Sequence, residues 1–96
     1  MSIPNAFTPN HDGKNDVFYI LGNNEVQMVK SFQIFDRWGQ AIFNTSNTAA
    51  NDPSYGWKGT VSGGKEANSG TYVYVVNVEF KDGHTEVFKG TVVLVR

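Results

Sequence analysis

From Thr71 to Val95 the chain is dominated by β-branched and aromatic residues, interrupted by a single Asp82-Gly83 turn signal. Tyr72, Tyr74, Val76, Val78 and Phe80 recur at a period of two and so fall on one face of an extended segment, where a helix would scatter them around its circumference. The opposite face becomes polar only at Asn77, Glu79 and Lys81. Asp-Gly between two such runs predicts a two-residue hairpin turn, which returns the chain from Thr85 through Val87, Phe88 and Val92 to Val95. Gly90 reads as a bulge or bend in the returning strand. A chain that commits its last quarter to this hairpin must build an antiparallel sheet around it.

The preceding segments supply further strands. Val17-Phe18-Tyr19-Ile20 reads as the first full strand, closed by Leu21-Gly22-Asn23-Asn24. Gln27 to Phe35 carries a mixed pattern that suits a central strand buried on part of both faces. Asp36-Arg37-Trp38-Gly39 suits a type I turn with a left-handed glycine, and Gln40-Ala41-Ile42-Phe43 returns as a hairpin. Residues 44–56 are rich in turn formers and predict the longest loop. Trp57 to Val61 predicts a short strand with Trp57 sealing one end of the core, and residues 62–70 connect it to the last hairpin. About seven short strands with no helical segment predict an all-β fold, an immunoglobulin-like antiparallel β-sandwich, with a barrel as the alternative. The Cys-Trp-Cys hallmark of true immunoglobulin domains is missing, so the expectation concerns architecture alone.

Ninety-six residues make one domain, 1–96, because two halves could not each bury a useful core. Eight Lys and Arg against nine Asp and Glu leave no basic face to displace counterions, which argues against nucleic acid. No cysteine is present, so disulfides, thiolate metal sites and cysteine nucleophiles are excluded and stability must come from packing. No apolar run approaches the roughly 18–20 residues of a membrane span, and Met1-Ser2 is too short for a signal peptide. Any export signal would belong to a longer parent.

The stretch from Ile3 to Phe18 sets apolar anchors around a loop dense in Asn, Asp, Gly and Pro. Pro4 and Pro9 push their neighbours toward extended backbone, so the loop starts extended. Asn10, Asp12 and Asp16 then offer three side-chain oxygens around a turning Gly13, and they are the candidate calcium ligands. Calcium wants six to eight oxygens, and no distal Glu completes an EF-hand; an Asx-turn loop satisfied by its own backbone accounts for the same residues. No cofactor is required by anything in the sequence. Gly59 to Lys65 has P-loop spacing, but Glu66 replaces the magnesium-binding hydroxyl and Ala67-Asn68-Ser69-Gly70 breaks the helix such a loop needs. His11 and His84 sit in predicted turns, and no spacing favours a catalytic triad. Trp38 beside Arg37 at a hairpin tip is either a contact residue or a ring folded back over the sheet.

Four motifs in order, Ile3 to Phe18, Ile34-Phe35-Asp36-Arg37-Trp38-Gly39 with Ile42-Phe43, Gly70-Thr71-Tyr72-Val73-Tyr74, and Gly90 to Arg96, make the chain resemble the gliding-motility-associated C-terminal domain, the type B sorting domain of the type IX secretion system of Bacteroidota. The resemblance covers nearly the whole chain. His11 stands where the family has Gly, Lys58 interrupts its W-D-G motif, and Ser69 replaces a common Asp. The resemblance implies a non-catalytic module that sends a larger cargo across the outer membrane, by way of the periplasm, to the cell surface or the medium. It implies type IX machinery proteins as partners. A monomer is expected, and the residues themselves make Arg37 and Trp38 at the hairpin tip, as an anchor, and the final strand Thr91 to Arg96, as a pairing edge, the candidate partner-binding positions. A calcium-stabilised carbohydrate-binding or adhesive β-sandwich is the competing expectation; it calls for Tyr55, Trp57 or Trp38 exposed on one face.

Overall fold

The computed structural model describes residues 3–9, 16–61 and 64–96. The two-residue periodicity of the C-terminal hairpin becomes its longest strand pair: β4 (Gly70–Phe80) and β5 (Thr85–Leu94) run antiparallel in unbroken register from Gly70 opposite Leu94 to Glu79 opposite Thr85. Tyr72, Val76 and Val78 are buried, and Tyr74 and Phe80 pack against the core from the same face. β2 (Val26–Phe35) pairs with the other side of β4, and β3 (Ala41–Thr48) pairs with β2. β1 (Ala6–Phe7) lies against β5 in the parallel sense. The sheet is therefore mixed, five-stranded and ordered β1-β5-β4-β2-β3.

The all-β expectation holds, while the described residues form one sheet and not the two of a seven-stranded sandwich. The segments expected as strands at Val17 to Ile20 and Trp57 to Val61 contribute isolated antiparallel bridges, Phe18 with Trp57 and Thr60 with Glu66. Their side chains nevertheless do the covering. Phe18, Ile20, Trp57 and Ala67 lie on one face of the sheet and join Phe7, Val29, Phe32, Ile34, Val76, Val92 and Leu94 in a single core. Reciprocal 2.8 Å backbone bonds join Phe18 and Trp57. Asn51, in the left-handed region at φ 64, ties the two covering segments together. Its amide N–H donates to Ile20 O at 2.8 Å, and its carboxamide both donates to Gly22 O and accepts from Gly22 N. Asn is one of the few residues that accept such a backbone.

Three further expectations change. The return strand after the first hairpin runs to Thr48, so the loop begins later than residue 44; Thr45 and Thr48 suit an edge strand, and pairing to β2 overrides the turn-forming Asn and Ser. The Asp82-Gly83 turn is a three-residue connection closed by Phe80 N to His84 O, not a two-residue one. Gly90 lies in regular register opposite Tyr74, and its missing Cβ makes room for the Tyr74 phenol.

Candidate recognition surface

The tip joining β2 to β3 is built from its own backbone. Asp36 N donates to Gln40 O and Gly39 N to Asp36 O, each at 3.0 Å, with Gly39 at φ 81. Asp36 Oδ1 accepts from Trp38 N at 3.0 Å and from Gln40 N at 2.9 Å. One carboxylate oxygen thus shapes the turn, at whose tip Arg37 and Trp38 stand exposed. Trp38 is 76% exposed, so the ring does not fold back over the sheet. The Arg37 guanidinium carbon sits 4.4 Å from its ring centroid, within cation–π range.

Across a shallow groove from this tip runs the entry to β4, residues 68–72. The groove encloses about 130 Å³, less than the roughly 300–1,000 Å³ of small-molecule sites and closer to the size of one side chain. Tyr72 Oη donates to Asn68 O at 2.6 Å and fixes this wall. Ser69, also in the wall, accepts from Arg96 N at 3.1 Å. Arg96 donates further, through Nε to Ala67 O at 2.7 Å and through Nη2 to Gly59 O, while Glu66 stands 3.8 Å from Nη1. Its guanidinium thereby stitches the end of the chain to the 59–69 loop. Gly59 is required here: φ is +82, and a Cβ would stand 3.0 Å from Arg96 Nη2 and from Leu94 Cδ1, and 3.1 Å from Pro9 Cγ.

Pro9 and Asp16, the described flanks of the opening loop, line a cleft with Lys58, Glu66 and Arg96. Of the proposed calcium ligands Asp16 alone is described; Asn10 and Asp12 lie outside the described residues, as does His11. Among the described residues no group of three His, Asp or Glu side chains converges to hold a metal. Of the three expected partner residues, Arg37 and Trp38 form one wall of the groove, whereas Arg96 does not line it and reaches the opposite wall only through its backbone N–H to Ser69. Of the three aromatics that a carbohydrate-binding module could use, Trp57 is fully buried, while Trp38 and Tyr55 are exposed. The roles of Ser69 and Gly59 were not foreseen; the positive φ of Gly59 falls in a stretch, Trp57 to Val61, that reads as a short strand.

The strands that carry the four motifs meet at one end of the sheet, where Phe7 and Gly70 flank Leu94 and Phe35 lies opposite Val73, and the family model of the CHU_C type IX secretion signal domain matches residues 1–94. The chain belongs to this family. Comparison with curated proteins returns no significant match. A type IX secretion signal domain marks the protein that carries it for export, so the chemistry of interest in this signal domain is recognition. The turn at Asp36 sets an exposed indole and a guanidinium across the groove from the Asn68–Ser69 wall.

Proposed function

We propose that this signal domain directs a larger cargo protein through the type IX secretion system across the outer membrane, and that the machinery reads it as a folded surface in the periplasm. The observation that carries the reading is Trp38. An indole 76% exposed, stacked by Arg37 and held on a turn whose polar groups are satisfied internally, is what an interface anchor looks like before its partner arrives. Arg and Trp are enriched among residues that dominate binding energy, and the adjacent groove is sized to receive a partner side chain. The domain acts without a catalytic step of its own. The segments that meet at the Phe18–Trp57 and Thr60–Glu66 bridges serve as the reduced second layer of an immunoglobulin-like sandwich.

The test is a fluorescent reporter placed between an export signal and residues 1–96, expressed in a cell that carries the secretion system. The reporter leaves the wild-type cell and stays in the periplasm when the system is deleted. A reporter retained in both cells rejects the sorting assignment.

A further inference from the structure

Every residue of β5 pairs with β4 on one side, yet on the other side β1 covers only Val93 and Leu94. The bonds Val93 N to Asn5 O and Val95 N to Phe7 O show that odd-numbered residues aim their amides away from β4. The N–H and C=O groups of Thr85, Val87, Lys89 and Thr91 therefore line an edge that no other described strand covers. The opposite edge of the sheet is guarded: Asn47 of β3 sits at φ 54, a left-handed residue that spoils a continuous ladder. The β5 edge has no such break, and it offers apolar footing on both faces, with Val87 57% exposed on one and Phe88 half-buried on the other.

We propose that an extended segment of the exporting machinery docks on this edge as an added strand, continuing the line that β1 already occupies; the inference rests on the sorting reading above. Unpaired backbone amides and carbonyls in a row are complemented by another strand's backbone, and β1 demonstrates that this edge accepts one in the parallel sense. Lys89, at the middle of the edge, selects the occupant. It disfavours a second copy, whose own Lys89 faces it in the register centred there, and it favours a strand with a carboxylate opposite.

Proline at an outward-facing position removes an edge donor without touching a bond to β4. In the reporter fusion, Lys89→Pro and Thr91→Pro keep the melting temperature of the isolated domain within about 5 °C of wild type, since no ladder bond is lost, and cut export at least tenfold. Lys89→Ala and Thr91→Ala, which keep the donors, export within about threefold of wild type. Folded proline variants that export normally overturn the proposal, and so do alanine variants that lose as much as the prolines. If proline at 89 and 91 melts the fold, Val87→Pro carries the same prediction. Amides of Val87, Lys89 and Thr91 that exchange as slowly as those of Phe88 and Gly90 in the isolated wild-type domain overturn it without any variant. A wild-type dimer in sedimentation that Lys89→Pro splits into monomers assigns the edge to a second copy and also overturns it. Wild-type fusion that is never exported rejects the sorting reading itself; wild type and Lys89→Pro exported alike reject the edge alone.

Discussion

The indole of Trp57 is enclosed by Phe7 at 5.2 Å and Tyr72 at 5.0 Å between ring centroids, and its N–H donates to Thr60 O at 2.8 Å. Replacing it removes both the ring that joins the covering layer to the sheet and the donor that satisfies a part-buried carbonyl. Trp57→Ala costs about 3–5 kcal/mol, a large share of the roughly 5–15 kcal/mol that stabilises a domain. Chemical denaturation checks this, and a loss below about 0.5 kcal/mol contradicts the packing described. At the other end of the sheet Asp82 accepts from His84 N at 3.0 Å and pairs with the His84 ring, which stacks on Phe80 at 4.5 Å. The backbone bond from His84 first, then the side-chain one, hold the Asp82 carboxyl below its ordinary value. Folding depresses this pKa, so the turn's contribution is complete above the unfolded value near 4 and is lost as pH falls through the folded one. The melting temperature drops as the solution is acidified below about pH 4, and Asp82→Asn drops less over the same range.

At the scale of elements, the β4–β5 pair depends on Gly90 as a gap and not as a bend. A Cβ there collides with the Tyr74 phenol, whose ring packs 5.7 Å from Phe18. Gly90→Ala forces that ring off its contact and costs about 1–3 kcal/mol; equal stability of the two proteins places Tyr74 elsewhere. β4 was legible from its residues because its alternation is unbroken and every inward position is apolar or aromatic. β2 was only partly legible. Register shifts between Val26 and Met28 and between Val29 and Ser31 change which parity faces the core, so Val26, Val29 and Phe32 recur every three residues along a strand. The covering segments were misread for a different reason: Phe18 and Trp57 have strand-forming neighbours, but their backbones meet at one bridge and then diverge. The parallel placement of β1 follows from which edge was left open, a tertiary fact with no local signature. In the candidate site, the turn at Asp36 and the display of Arg37 could be read from residue types, whereas the engagement of Arg96 with Gly59 and Ala67 depends on a loop that arrives from 29 to 37 residues away.

Across the whole molecule the sheet has an unequal treatment of its two faces and its two ends. One face is sealed by the segments around Phe18 and Trp57, and the other carries Val73, Val87, Val93 and Val95 partly exposed among polar neighbours. One end holds the Asp82 turn; the other gathers the Asp36 turn, the β4 entry, the end of β5 and the flanks of the opening loop around Arg96. The core supplies stability and, on the function proposed above, the second end supplies recognition, so the two properties should be separable by mutation. Removing Arg37 and Trp38 deletes no core contact and leaves the Asp36 bonds to the turn backbone in place. The decisive measurement compares export with melting for the Arg37→Ala, Trp38→Ala double variant of the reporter fusion. The double variant should melt within about 3 °C of wild type, as expected for exposed positions, with export reduced at least tenfold. A double variant that folds and is exported like wild type contradicts recognition through Arg37 and Trp38.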